Sequence, residues 1–231
     1  MIYDKDNLQM IMIQQLADLD GRAILEVGCG DGRLSVMLAR TTRWYIAIDP
    51  DKEAIAAARQ RTGNVGFHIG YGENLPFADA SFDLVIFIFS LHHQNSSQAL
   101  METHRVLTPT GRVIILEPDA NGEFQQFFHL FDDETDDLTS AINAIRHSQF
   151  DLIHHDIFEV PADFDNLADL FQYQFDKSPA DETSRSNILA KLLQFRGGNT
   201  ESQPIQLLDR IHIFSLKKHN DTARKDRAGA D

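Results

Sequence analysis

The strongest constraint in this chain is a set of short apolar runs that alternate with helical stretches. The runs are Ala23–Val27, Trp44–Ile48, Val65–Ile69, Asp83–Phe89 and Arg112–Leu116. Runs of this length, stopped by Gly, Pro or Asp, fit strands buried on both faces of a parallel sheet. Between them, Leu34–Arg40, Glu53–Arg61 and Gln98–Leu107 have helical character, with Asp31 placed to cap the first. A leading helix is expected around Leu8–Leu16, ended by Asp20-Gly21, and a turn at Pro109-Thr110-Gly111. Strands alternating with helices imply βαβ units, right-handed crossovers and a mostly parallel α/β sheet.

After Pro118 the pattern changes. Phe124, Phe127, Phe128 and Phe131 fall at helical spacing, either as core or as a lid over an apolar ligand. The acidic run Asp132–Asp137 is either a solvated face or a site for a cation. Leu138–Phe150 is expected to be a helix, Leu152–Val160 a strand and Phe164–Phe175 a helix. A further helix is expected over Thr183–Phe195, ended at Gly197-Gly198, then a strand over Ile205–Lys217. This gives seven strands with helices on both faces. One domain is expected over residues 1–218, with residues 1–20 a leading helical segment and 119–204 an insert forming the acceptor side or a lid. Residues 219–231 are polar and charged and are expected to be a disordered tail.

Charge and cysteine count narrow the functions. The formal net charge of -14 disfavours a phosphate-backbone partner, so no nucleic acid is expected. A single cysteine, Cys29, excludes an internal disulfide or a thiolate cluster. No apolar run is long enough for a membrane span and no signal layout opens the chain, so a cytoplasmic location is expected.

The chemistry concentrates in Leu25-Glu26-Val27-Gly28-Cys29-Gly30-Asp31-Gly32-Arg33. A strand running into Gly-x-Gly and then a helix makes a tight turn that lets backbone approach a ligand closely. Asp49 ends the second strand, where a carboxylate can accept from both hydroxyls of a ribose. The bland alternative is a turn and a helix cap. Nicotinamide enzymes share this geometry, but their fingerprint wants a third glycine where this chain has Arg33.

The stretch Ile24–Gly32 resembles motif I of the class I methyltransferases that use S-adenosylmethionine (SAM). Asn74-Leu75-Pro76-Phe77-Ala78-Asp79-Ala80-Ser81-Phe82-Asp83 is similar to a segment of their type 11 branch, which includes the ubiquinone/menaquinone C-methyltransferases. Ser90-Leu91-His92-His93 and Arg105-Val106-Leu107-Thr108-Pro109-Thr110-Gly111-Arg112 fit the same branch in order and spacing. The resemblance covers about residues 22–118 and implies a Rossmann-like fold. SAM would be the cofactor, with S-adenosylhomocysteine as product, and a small molecule the acceptor.

It also implies residue roles. Gly28 and Gly30 would line the methionine end of SAM, with Glu26 positioning the loop or the ammonium group. Cys29 fits the loop as a small side chain. Asp49 would hold the ribose and Pro50 would pack near adenine. The loop Tyr71-Gly72-Glu73-Asn74 would close over the adenine edge, and Phe87 to Ser90, Phe89 and Ser90 above all, would face the methionyl arm. The branch commonly has an aspartate where this chain has Tyr71, so Glu73 or a backbone carbonyl would meet the adenine amino group. His92 and His93 would serve as base or substrate clamp, or else hydrogen-bond locally at a strand end. Taken as extended residues they point opposite ways, so no shared metal is expected there or at His154-His155. Two other functions stay open: a SAM-binding sensor or partner subunit without turnover, and a nicotinamide-dependent oxidoreductase. Acceptor identity, the methylated element and oligomeric state are left open.

Overall fold

A computed structural model describes residues 1–177 and 204–219, with a few helical positions between 183 and 194. Of the helix expected over Thr183–Phe195, residues 183, 186, 187, 189, 190, 193 and 194 are described and are helical; its other residues, its glycine end and the tail beyond His219 lie outside the described residues.

In chain order the elements are β1 (Ile2–Tyr3), α1 (Leu8–Leu16), β2 (Ala23–Val27), α2 (Arg33–Leu38) and β3 (Trp44–Asp49). Then come α3 (Lys52–Ala58), β4 (Gly66–Ile69), β5 (Phe82–Ile88), α4 (Ser96–Val106) and β6 (Leu107–Pro118). The chain continues with α5 (Glu123–Phe128), α6 (Thr135–Arg146), β7 (Phe150–Phe164), α7 (Leu167–Lys177) and β8 (Ile205–Lys218). The strand order is β1-β7-β8-β6-β5-β2-β3-β4, eight strands rather than the expected seven. The extra strand is β1, which pairs Ile2 with Asp163 and Tyr3 with Ala162; two residues are too few to carry a pattern.

The pairs β2–β3, β2–β5, β3–β4 and β5–β6 are all parallel. From β2 the chain winds out through β3 to β4, then returns to β5 on the other side of β2. That reversal leaves a crevice at the carboxyl ends of the central strands, where open α/β sheets bind ligands.

Three local expectations need correction. The cap of α2 is Gly32, held left-handed at φ 74°, and no side chain caps that helix. Asp31 instead accepts from the Arg33 N–H at 3.2 Å, one step earlier than a true cap. The Pro109–Gly111 turn lies within β6: pairing jumps from Phe82–Leu107 to Leu84–Arg112, so the turn bulges out of a continuing strand. The helix expected to reach Phe150 stops at Arg146, and Phe150 begins β7.

The chain forms two compact units. The larger comprises Met10–Glu117, Thr139–Asp156 and the chain from His212. Its core joins Leu25, Val27, Val85, Phe87, Val113 and Ile115 of the parallel strands to Phe214 and Leu216 of β8. The smaller comprises Met1–Gln9, Pro118–Leu138 and Ile157–Ile211. Phe124 and Phe127 are buried there with Phe164, Leu167, Leu170 and Leu207, so the phenylalanine stripe is core in that unit. Asp136 and Asp137 lie in the first turn of α6, where the helix dipole favours negative charge, and Asp133 accepts from the Thr135 N–H.

Candidate active site

A cavity of about 680 Å³ opens in the larger unit at the carboxyl ends of β2, β3 and β5. That size suits a small ligand or cofactor. Its floor is the glycine turn after β2. The N–H groups of Gly28 and Cys29 both donate to the Ile48 carbonyl, at 2.8 and 3.0 Å, which hooks the turn onto the end of β3. Gly28 has φ 77°, and a Cβ there would collide with the Ser90 side chain. Gly30 has φ 52° and lines the cavity with open space where a Cβ would stand. Only glycine gives both the left-handed turn and this bare surface.

Asp49, the last residue of β3, holds the turn from the side. Its Oδ2 accepts from the Gly30 N–H at 2.8 Å and its Oδ1 from the Asp51 N–H at 2.9 Å. A carboxylate offers about four lone-pair positions. Those two bonds leave each oxygen able to accept once more, which matches a pair of vicinal hydroxyls. Pro50 lines the cavity beside it.

Glu26 is buried at the base of the cavity, where the Tyr45 hydroxyl donates to its Oε2 at 3.0 Å. Burial pushes its carboxyl up to about 7; the Tyr45 hydrogen bond only partly offsets that. Burial, reinforced by the Glu26 and Asp49 carboxylates, holds the Cys29 thiol far above its ordinary range. Cys29 is therefore a neutral, unreactive wall group.

The opposite rim is the segment after β4. Tyr71, Gly72 and Glu73 all line the cavity, with Tyr71 59% exposed. The Glu73 Oε1 accepts from the Asn95 N–H at 2.8 Å, which ties this rim to the start of α4. Further along, Arg105 of α4 donates to the carbonyls of Leu75 and Phe77, at 2.9 and 2.7 Å, and pairs with Asp79 and Glu102. The Asn74–Asp83 segment is thus clasped to one helix.

The turn after β5 forms the last wall. Phe89 sits at φ 53°, unusual for a residue with a side chain, and its N–H is held by the Leu116 carbonyl at 2.9 Å. The Ser90 hydroxyl donates to the Val27 carbonyl at 2.6 Å, bridging this wall to the end of β2. Gln94, which the sequence did not single out, also lines the cavity and donates to the Ser90 carbonyl at 2.9 Å.

The two histidines separate. His93 is exposed and lines the cavity, whereas His92 is buried, is not among the lining residues, and bonds through Nδ1 to Glu117 Oε2. The expectation that they point apart as extended residues is corrected. They lie in a turn, and their rings meet with centroids 3.9 Å apart and planes tilted to one another. Glu117 is not among the lining residues, and its Oε1 accepts from the Leu91 N–H at 2.8 Å. His155 meets His212 instead, at 3.0 Å.

Of the residues expected around a cofactor, those from Glu26 to Gly30, Asp49 and Pro50, Tyr71 to Glu73, and Ile88 to Ser90 line this one cavity; Asn74 and the fully buried Phe87 do not. The carboxylates of Glu26, Asp31, Asp49 and Glu73 face it, against one guanidinium, Arg33. Such a lining favours a cationic ligand and disfavours a pyrophosphate.

Residues 25–115 match the family model described as "Methyltransferase domain". The chain is 37% identical over 97 residues to a demethylmenaquinone methyltransferase of Chlorobaculum parvum, covering 41% of this chain and 40% of that protein. It is 33% identical over 122 residues to a ubiquinone/menaquinone biosynthesis C-methyltransferase of Rubrivivax gelatinosus, covering 52% and 49%. The chain therefore spans less than half the length of either relative. Among solved structures, a putative methyltransferase of Bacillus halodurans superposes with a TM-score of 0.70 over 92% of this chain and 100% of that one. At 17% identity, that likeness concerns the fold alone. Among the described residues, no helix is long and apolar enough to cross a membrane.

Proposed function

We propose that this protein is a class I methyltransferase of the type 11 branch, which transfers the methyl group of SAM to a small-molecule acceptor; the match of residues 25–115 to the methyltransferase family model supports this. The observation that carries the proposal is the acid-lined cavity with a bare glycine floor and a two-handed carboxylate at its side. SAM carries a sulfonium and an ammonium against one carboxylate, so it is a net cation at neutral pH and has no phosphate. When bound, it supplies an already activated methyl group.

The residues of this chain then bind and orient. Asp49 accepts from the two ribose hydroxyls. Glu26, ionised, faces the ammonium group, and Gly28 and Gly30 let the methionyl arm lie against backbone. Pro50, Tyr71, Gly72 and Glu73 take the adenine end, with Glu73 or a backbone carbonyl in place of the family's aspartate. Phe89 and Ser90 flank the methionyl arm, and His93 stands where an acceptor would approach. Much of the rate gain in such a transfer comes from alignment and exclusion of water, on the order of 7–11 kcal/mol in well-oriented cases.

Isothermal calorimetry with SAM, S-adenosylhomocysteine and NAD tests the reading. Binding of the first two and not the third is expected. Preference for NAD would overturn it.

A further inference from the structure

We propose, on the reading above, that Glu117 is a positioning residue that acts through His92 to hold the His93 imidazole as a general base. The acceptor is then one that arrives with a proton to lose, a hydroxyl or an acidified C–H, rather than a thioether or a tertiary amine.

Glu117 stands at the end of β6, directly after Ile114, Ile115 and Leu116, all fully buried. The side chains of His92 and Glu117 are 2% and 0% exposed. A carboxylate is costly to bury without partners, and an apolar residue would suit this strand at lower cost. Its two oxygens are committed to a single turn: Oε1 to the Leu91 N–H and Oε2 to His92 Nδ1. An acceptor on Nδ1 places the proton of a neutral imidazole there and leaves Nε2 with its lone pair.

The His92 ring, so oriented, lies against the His93 ring with centroids 3.9 Å apart and planes tilted by 47°. His93 is the exposed member and lines the cavity. A positive charge developing on His93 is thus next to a pair that carries the carboxylate's negative charge, which favours the protonated imidazole.

The step balances without a further reactant. His93 takes the proton of the acceptor X–H, and the X–H electron pair closes on the methyl carbon. The carbon–sulfur pair returns to sulfur, which becomes a neutral thioether, and the imidazolium then releases its proton to water. An acceptor without that proton has no use for the device.

The first test is nitrogen-15 NMR of the histidine side chains in the protein without SAM. His92 is expected as the Nδ1–H tautomer; Glu117→Gln, whose amide donates to Nδ1, should convert it to Nε2–H and move the His93 ring signals. A wild-type Nε2–H tautomer at His92, or His93 signals indifferent to E117Q, overturns the proposal. This measurement on wild type stands even if E117Q does not fold.

The second test follows S-adenosylhomocysteine release with catechol, an N,N-dimethylated arylamine and a dialkyl thioether as probes. Turnover is expected with catechol alone, falling roughly ten- to a hundredfold in E117Q and in His93→Gln while the KM for SAM stays within about threefold. Turnover of the thioether or the tertiary amine overturns it, as does a parallel loss of SAM affinity in E117Q. Calorimetry separates the two levels: SAM binding with a wrong tautomer defeats only this inference, whereas no SAM binding defeats the reading beneath it.

Discussion

The cavity has two walls of opposite construction. Along β2 and β3 the surface is backbone: Gly28 and Gly30 bare, their turn hooked to Ile48 and held by one carboxylate, Asp49. Along β5 and β6 the surface is side chain: Phe89, Ser90, His93 and Gln94, braced from behind by His92 and Glu117. A backbone wall admits few substitutions, because shape alone makes it work. A side-chain wall can change its chemistry residue by residue on an unchanged frame. The first suits the part of a ligand read by its shape, the second the part read by its chemistry.

The largest effect expected from that contrast is at Gly28. Gly28→Ala puts a methyl group into the Ser90 side chain at a left-handed position, and should weaken SAM binding on the order of a hundredfold, about 3 kcal/mol. Calorimetry reads it, and near-normal affinity would show that the backbone wall is more pliant than described. Asp49→Ala should cost about 1.5–3 kcal/mol of SAM affinity. If that variant bound SAM like wild type, the ribose would lie elsewhere.

A smaller, pH-dependent effect belongs to Glu26, whose carboxyl is pushed up to about 7 from an ordinary 4.5 by burial. Its ionised form is the one that meets a cation, so SAM affinity should rise roughly tenfold from pH 6 to pH 8 and lose that rise in Glu26→Gln. Stability runs the other way. The fold keeps a proton that the unfolded chain gives up, so stability is full below about pH 4.5 and falls as pH rises towards 7. Asp209 in the smaller unit, pushed by burial to about 7, adds a fall of the same sign. Urea midpoints at pH 4.5 and pH 8 should draw together in Glu26→Gln and in Asp209→Asn, while added SAM should change the pH dependence only through Glu26. The smallest effect is at Cys29. Its thiol stays protonated, so Cys29→Ser should change SAM affinity less than about threefold, and iodoacetamide should label the native protein slowly.

The backbone wall was largely legible before the fold was known. Gly28, Gly30 and Asp49 announce themselves because a tight turn and a strand-end carboxylate need those residue types at that spacing. The side-chain wall was legible only in part. His92 and His93 were visible as a pair, but their arrangement depends on a turn replacing an extended segment, which no local propensity reveals. Glu117 is separated from them by twenty-five residues and becomes their neighbour only because β5 and β6 pair in parallel. Gln94 carried no signal beyond its place in that turn. The strand β1 and the glycine cap of α2 were missed for a related reason: two residues hold no period, and left-handed glycines at the alternate positions 28, 30 and 32 leave the cap to backbone geometry.

The clasp made by Arg105 has a consequence for traffic through the cavity. With Leu75, Phe77 and Asp79 fastened to α4 in the middle, and Glu73 fastened to the head of that helix, the Tyr71–Glu73 rim is a jamb and not a door. It can shift only by carrying α4 along, so a ligand entering the cavity meets a fixed edge on this side. Arg105→Ala would unhinge the jamb, and its mark should be a faster exchange of SAM with its resting pose little altered.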